Sequence, residues 1–376
     1  MTLLRGFMRE ISTFAFAIAL LIPFLASAQT QKTSGQGEWE KIIEAAKKEG
    51  KVVVSVPAGP EISKALGDAF TKRFGIEVEF VSARGSAVVR RIIEESAAGV
   101  HYFDIHVGGS ESITTGFLPA GILEPIERWW ILPEVKDPKN WWGGHMWVDS
   151  AKLYVYMFQA YQTQNMWYNS TLVKPQEFRS LDNLLDAKWK EKIGLLDPRT
   201  PGSGSSMWSY LLEIKGEDYL QRLVGQKLFI SRDQRQLAEA LAKGKIALDV
   251  GLTYYSYVPF LKAGLPIKPL PLPKEGLYAS GGSGNLTIIK NPPHPNATKV
   301  FVNWLLGKEG QQIFGKAIGQ ATRRLNVDTK WLKEFGVLAA KDFLTVEQFY
   351  KLEDQSEEKV YKVREPGAAA AHKLLD

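Results

Sequence analysis

Two kinds of residue in this chain could do chemistry: small polar loops that run into helices, and a cluster of phenols. Loops at 57–60, 82–86, 108–112 and 202–206 are rich in glycine, serine and other small residues. A helix start has free N–H groups and a partial positive charge, so such a loop holds an anion without a cationic side chain. Glycine lets the backbone come close, and serine adds a hydroxyl donor. The residues this singles out are Ala58, Gly59, Gly85, Ser86, Gly109, Ser110, Ser203, Ser205 and Ser206. Each loop alone is an ordinary cap or turn; four of them at strand ends describe a converging cleft. The phenols are Tyr254 and Tyr255, followed by Ser256 and Tyr257, after the apolar run Ile246 to Gly251. Tyrosines at a strand end either point into the crevice beyond the sheet or pack the rim of a core.

Catalytic constellations are poorly represented. There are five histidines, His101, His106, His145, His294 and His372, with no H-E-x-x-H or other close ligand spacing. Ser203-Gly204-Ser205-Ser206 is not a nucleophile elbow, and no dinucleotide fingerprint follows the first strand. His106 sits inside an apolar run and reads as a core or rim residue. With no cysteine, disulfides and thiolate metal sites are excluded.

These residues need elements to position them. Val52 to Val56, Ile76 to Val81 and Phe103 to Val107 read as strands, separated by helical stripes through Ile62, Leu66, Phe70 and Val88, Val89, Ile92. That is β-α-β-α-β with short loops, the pattern of a parallel sheet covered by helices. A second α/β set begins near Ser170, with strands at Ile193 to Leu196, Leu228 to Ser231 and Lys245 to Val250. Pro266 to Pro273 alternates proline with apolar residues, so it is extended and cannot be a central strand. It reads as a crossover handing the chain from one unit to the other. Between the two sets lies an irregular excursion with five tryptophans, Trp129 to Trp147.

Length and ends set the remaining bounds. The chain has 376 residues, more than one compact core usually organises, and a formal net charge of +6 with dispersed lysines. No basic run alternates with aromatics as in a nucleic-acid groove. Residues 1–28 read as a signal peptide: Arg5 and Arg9, an apolar run from Phe14 to Ile22, and Ala26-Ser27-Ala28 before Gln29. No later stretch is apolar for long enough to span a bilayer. An exported protein is expected.

Several segments carry a resemblance that spans nearly all of the chain after the leader. They are Gly50-Lys51-Val52-Val53-Val54, Asp104-Ile105 before its Gly-Ser loop, Trp167-Tyr168-Asn169-Ser170-Thr171-Leu172-Val173, Leu184 to Trp189, and Asp197-Pro198. The most specific is His294-Pro295-Asn296-Ala297-Thr298-Lys299 with Phe301 to Leu306 and Glu309-Gly310-Gln311. Together they resemble the periplasmic substrate-binding component of an ABC importer, in the extracellular solute-binding group that contains ferric-iron binders.

The resemblance implies an α/β, two-lobed periplasmic-binding-protein fold with hinge-crossing strands, type II-like. Lobe 1 would comprise 36–168 plus 278–376 and lobe 2 169–277, hinged near Tyr168-Asn169 and Lys274 to Gly276. It implies a monomer in the periplasm that presents its solute to an inner-membrane ABC permease, with no catalysis and no cofactor. In the family's iron binders a tyrosine pair from the second lobe ligates ferric ion, and Tyr254 and Tyr255 fall in that place; phenolate is a hard ligand for a hard cation. Where those proteins carry a histidine or tyrosine after the first strand and a carboxylate after the third, this chain reads Pro57-Ala58-Gly59 and Gly108-Gly109-Ser110, with Glu61 and Glu111 nearby. The leading expectation is therefore a small carboxylate- or phosphate-type anion held by the loops, with tyrosine hydroxyls donating. The alternatives are ferric iron on Tyr254 and Tyr255 with a synergistic anion, an amine caged by tryptophans, and an exported enzyme on a similar fold.

Overall fold

The computed structural model describes residues 37–57, 60–82, 85–163 and 165–376. The expected signal peptide and two of the candidate anion-binding residues, Ala58 and Gly59, lie outside the described residues.

The first unit is built on a seven-stranded sheet. Strands β1 (Lys51–Val56), β2 (Glu77–Ser82) and β3 (Ile105–Gly108) are parallel, with Val54 facing both Phe80 and Ile105. Helices α1 (37–49), α2 (Pro60–Phe74) and α3 (Gly85–Ala97) accompany them. The sheet continues through short strands β4 (Leu123–Glu124), β5 (Met146–Trp147) and β6 (Tyr156–Met157). All are tied together by an antiparallel strand that arrives more than a hundred residues later. The valines of β1 are buried on both faces, as a strand covered by helices requires. Asp104 staples the arrangement: its carboxylate accepts from Val53 N–H and from His294 N–H, each at 2.8 Å, and pairs with the His294 ring.

After β7 (Tyr161–Thr163) the chain crosses into a five-stranded sheet, entering as β8 (Met166–Asn169). Strands β9 (Ile193–Leu196), β10 (Phe229–Ser231) and β11 (Leu248–Val250) are parallel, alternating with α4 (Ser203–Lys215), α5 (Glu217–Val224) and α6 (Gln234–Ala242). Helix α7 (Tyr254–Lys262) follows, and then β12 (Ile267–Pro269), antiparallel to β8 at the sheet edge. The edge is where proline's missing donor does no harm. The chain returns through β13 (Ala279–Ser280) to β14 (Asn285–Ile289), the late strand that joins β3, β4 and β6. Helices α8 (Pro295–Leu306), α9 (Lys308–Ile318) and α10 (Val346–Leu352) complete the first unit, together with β15 (Val337–Ala339).

Strands β13, β7 and β15 form a small third sheet beside the two crossings, so the chain passes between units at 163–166 and 270–279. The first crossing lies a few residues before the hinge expected at Tyr168-Asn169, and the second contains the one expected at Lys274 to Gly276. A third crossing was not expected. Residues 357–375 form one continuous helix that starts on the first unit, where Glu357 N–H donates to Val148, and ends as α11 (Glu365–Leu375). There Ala371, Leu374 and Leu375 join the core of the second unit. The sequence-based division placed all of 278–376 in the first lobe.

The five tryptophans of the excursion pack on the first unit. Trp129, Trp130 and Trp141 are buried in its core, around Tyr156. Arg323 lies 5.6 Å from the ring centroids of both Trp141 and Tyr156, and donates to the carbonyls of Met157, Trp142 and Gly144.

Candidate functional site

Between the two units lies a cavity of about 210 Å³. Its walls are the C-terminal ends of β1, β3, β9 and β11 and the helix starts that follow them, the place where open α/β sheets take ligands. From the first unit come Pro57, Ser86, Gly109, Ser110, Gly282 and Ser283; from the second, Thr200 to Gly204, Ser206, Arg232, Thr253 and Tyr255.

Each candidate among the described residues has a definite position. Ser86, Gly109, Ser110, Ser203, Ser206 and Tyr255 line the cavity together. The Ser110 hydroxyl is fully buried there without a partner. Ser205 stands one position behind the wall, its hydroxyl donating to Glu111 Oε1 at 3.3 Å. Gly85 begins α3 next to Ser86. Gly204 allows α4 to start this close to β9, because a β-carbon there would collide with the carbonyl of Leu196.

The two tyrosines part company. The sequence reading put them at the end of a strand, but they form the first turn of α7. Successive helical residues point about 100° apart, so one hydroxyl reaches the cavity and the other cannot. Tyr255 faces inward, and burial raises its hydroxyl above the usual 10, only partly offset by Gln234 and Thr253, so it is a neutral donor. Tyr254 turns to the first unit, its ring 4.4 Å from that of Phe335 and laid over Gly319. It bridges the units outside the cavity.

The charged groups of the cavity are already matched. Asp197, at the end of β9, accepts from Arg199 N–H and Nε at 3.0 and 2.9 Å and from Arg232 Nε at 2.9 Å. Burial alone would raise its pKa, but these donors outweigh it and hold the carboxyl down at about 2. Glu111 is ion-paired with Arg364, which also bonds Asp354 at 3.0 Å. Within β3, His106 receives the Ser55 hydroxyl or donates to it at 2.9 Å, and full burial lowers its pKa to about 3, so the ring is neutral. Among the described residues, no group of three or more histidine, aspartate or glutamate side chains is placed to hold a metal ion.

Several wall residues carried no signal in the sequence. Tyr161 and Tyr278 sit on the crossing strands, Gln320 follows α9, and Gln355 and Arg364 come from the C-terminal segment. The glycine-rich stretch 281–284 could have marked its place: Gly282, at φ +55, is pressed against Tyr161 and Gln320.

Comparison with known proteins agrees with this geometry. Residues 52–317 match the family model described as bacterial extracellular solute-binding protein. A Haemophilus influenzae protein, described only as uncharacterized, is 22% identical over 275 residues, which is 71% of this chain and 76% of its own. Among solved structures, the Trichodesmium protein IdiA (FutA), in complex with iron and citrate, has a TM-score of 0.60 at 20% identity, covering 87% of this chain and 99% of that one. AfuA from Actinobacillus pleuropneumoniae, with exogenous fructose-6-phosphate bound, also scores 0.60, at 17% identity over 86% and 99%. The ferric binding protein from Campylobacter jejuni scores 0.64, at 14% identity over 86% and 99%. At these identities the structures show a shared two-lobed fold, while their ligands remain their own. With the family model covering most of its length and the cavity lying between two α/β units, this chain belongs to the bacterial extracellular solute-binding proteins.

Proposed function

We propose that this protein captures a small anionic solute, of carboxylate or phosphate type, between its two lobes and delivers it to an inner-membrane ABC permease. The observation that carries the reading is the balance of the cavity wall. Its carboxylates, Asp197 and Glu111, are engaged by arginines, and the rest of the wall is rich in hydroxyl groups and helix-start N–H groups, with Arg232 lining it beside Asp197. Such donors suit an oxyanion. The lobes close around the solute by rotation about the two strand crossings. The protein acts as an exported monomer, directed to the periplasm by residues 1–28, and releases its solute unchanged, with no cofactor.

Ferric iron is the second reading, favoured by the iron binders among the structural relatives. Against it stands the divergence of Tyr254 from Tyr255, which leaves one phenol where the tyrosine pair needs two. A visible spectrum of chelator-stripped protein titrated with ferric nitrilotriacetate separates the readings. The anion reading predicts no new charge-transfer band. A stoichiometric band, lost in both Tyr254→Phe and Tyr255→Phe, would establish iron in its place.

A further inference from the structure

The cavity is spanned by contacts that need no solute. Glu111 belongs to the first unit, is 8% exposed, and its carboxylate reaches across the gap. It accepts from Gly202 N–H at 3.4 Å and from the Ser205 hydroxyl at 3.3 Å, both in the second unit. Gly202 is the cap residue of α4 and has no side chain to cap with. A carboxylate from the opposite unit therefore does what a capping aspartate would do, at the positive end of the helix.

Arg364 completes the grip from the other side. It is 2% exposed, ion-pairs with Glu111 and Asp354, and donates to the Gly202 carbonyl at 3.1 Å. Gly202 is thus held by its N–H through Glu111 and by its carbonyl through Arg364. Arg364 ends the stretch Val360–Arg364, where the helix crossing between the units widens into π turns, and Glu111 precedes a similar widening at Ile113–Phe117. Such wide turns gather at functional positions.

We propose that Glu111 and Arg364 are positioning residues that clamp the start of α4 to the first unit, so that the protein populates a closed form before solute arrives. The clamp sets how much of the population is competent to hold solute, and the apparent dissociation constant scales inversely with that fraction. Weakening it therefore lowers affinity for every solute by one common factor and leaves the preference among solutes untouched. The inference assumes a hinged binder, as proposed above, and does not depend on what is bound.

Solution scattering without any solute tests it, on wild type, Glu111→Gln and Ser205→Ala. The wild type is expected to scatter as the closed structure does, and both variants to shift to a larger radius of gyration, Glu111→Gln further. A wild type already open, or a Glu111→Gln indistinguishable from a closed wild type, overturns the clamp. Thermal melting identifies a variant that has lost its fold, and Ser205→Ala, which removes one hydroxyl, guards against that outcome. Titrations with citrate and with a hexose phosphate supply the second arm. For the probes that bind, Glu111→Gln should weaken affinity by the same factor, on the order of tenfold for one charge-assisted hydrogen bond. Unequal factors would mean that Glu111 touches solute directly and would refute a positioning role. Should neither probe bind, the scattering result still decides the clamp.

Discussion

Asp249 offers a sharp test of how the second unit is built. It sits in β11, fully buried, and neither carboxylate oxygen makes a hydrogen bond. Burial raises its pKa from 3.8 to about 7, the nearby Tyr257 hydroxyl and Leu252 N–H offsetting only part of that cost. The folded state thus binds this proton more tightly than the unfolded chain does. Below pH 3.8 both states are protonated and Asp249 costs nothing. Between 3.8 and about 7 only the unfolded chain ionises, and stability falls by about 1.4 kcal/mol per pH unit. Over this span of roughly three units the loss is about 4 kcal/mol, complete above pH 7. Asp249→Asn removes the titration. Urea unfolding of wild type and variant between pH 4 and 8 should show the variant gaining about 4 kcal/mol relative to wild type as pH rises. Whatever the amide itself costs is the same at every pH and leaves the slope intact. Parallel stability curves would refute the reasoning, since they would mean the carboxylate finds donors or water when folded.

Two substitutions probe the cavity walls. Tyr254→Phe keeps the ring that packs on Phe335 and Gly319, so solute affinity by calorimetry should stay within about twofold, whereas loss of a ligand hydroxyl would cost about 1–3 kcal/mol. Gly204→Ala drives a β-carbon into the Leu196 carbonyl, so α4 must shift; a loss of about 1–3 kcal/mol in unfolding experiments is expected, with weaker solute binding than the stability change alone explains.

The alternation of strand and helix was legible in the sequence because the strands of the two parallel sets fall on short apolar runs, β-branched in β1, and the helices between them carry apolar stripes. The proline-rich crossover was legible for a local reason too, since a chain without N–H donors can only sit at a sheet edge. Loops that begin helices were found by composition, and Ser86, Gly109, Ser110, Ser203 and Ser206 do meet at one cavity. What composition could not supply was direction. Starting α7 at Tyr254, where the tyrosines were expected to close a strand, rotates one of them out of the cavity, a change of helix boundary with no local signature. Arg364 lay beyond reach for a different reason. Its partners Glu111 and Gly202 are 253 and 162 residues away, and nothing in the helical stretch around it distinguishes it from a solvent-facing arginine.

On this reading an anion is held by the donors of the cavity wall. Calorimetric titration of stripped protein with citrate, inorganic phosphate, a hexose phosphate and an uncharged hexose tests it most directly, on wild type, Arg232→Met and Ser206→Ala. One-to-one binding of at least one anion, weakened on the order of tenfold in each variant and absent for the uncharged sugar, is the predicted result. No binding of any of the anions, or an anion bound equally well by all three proteins, would contradict it.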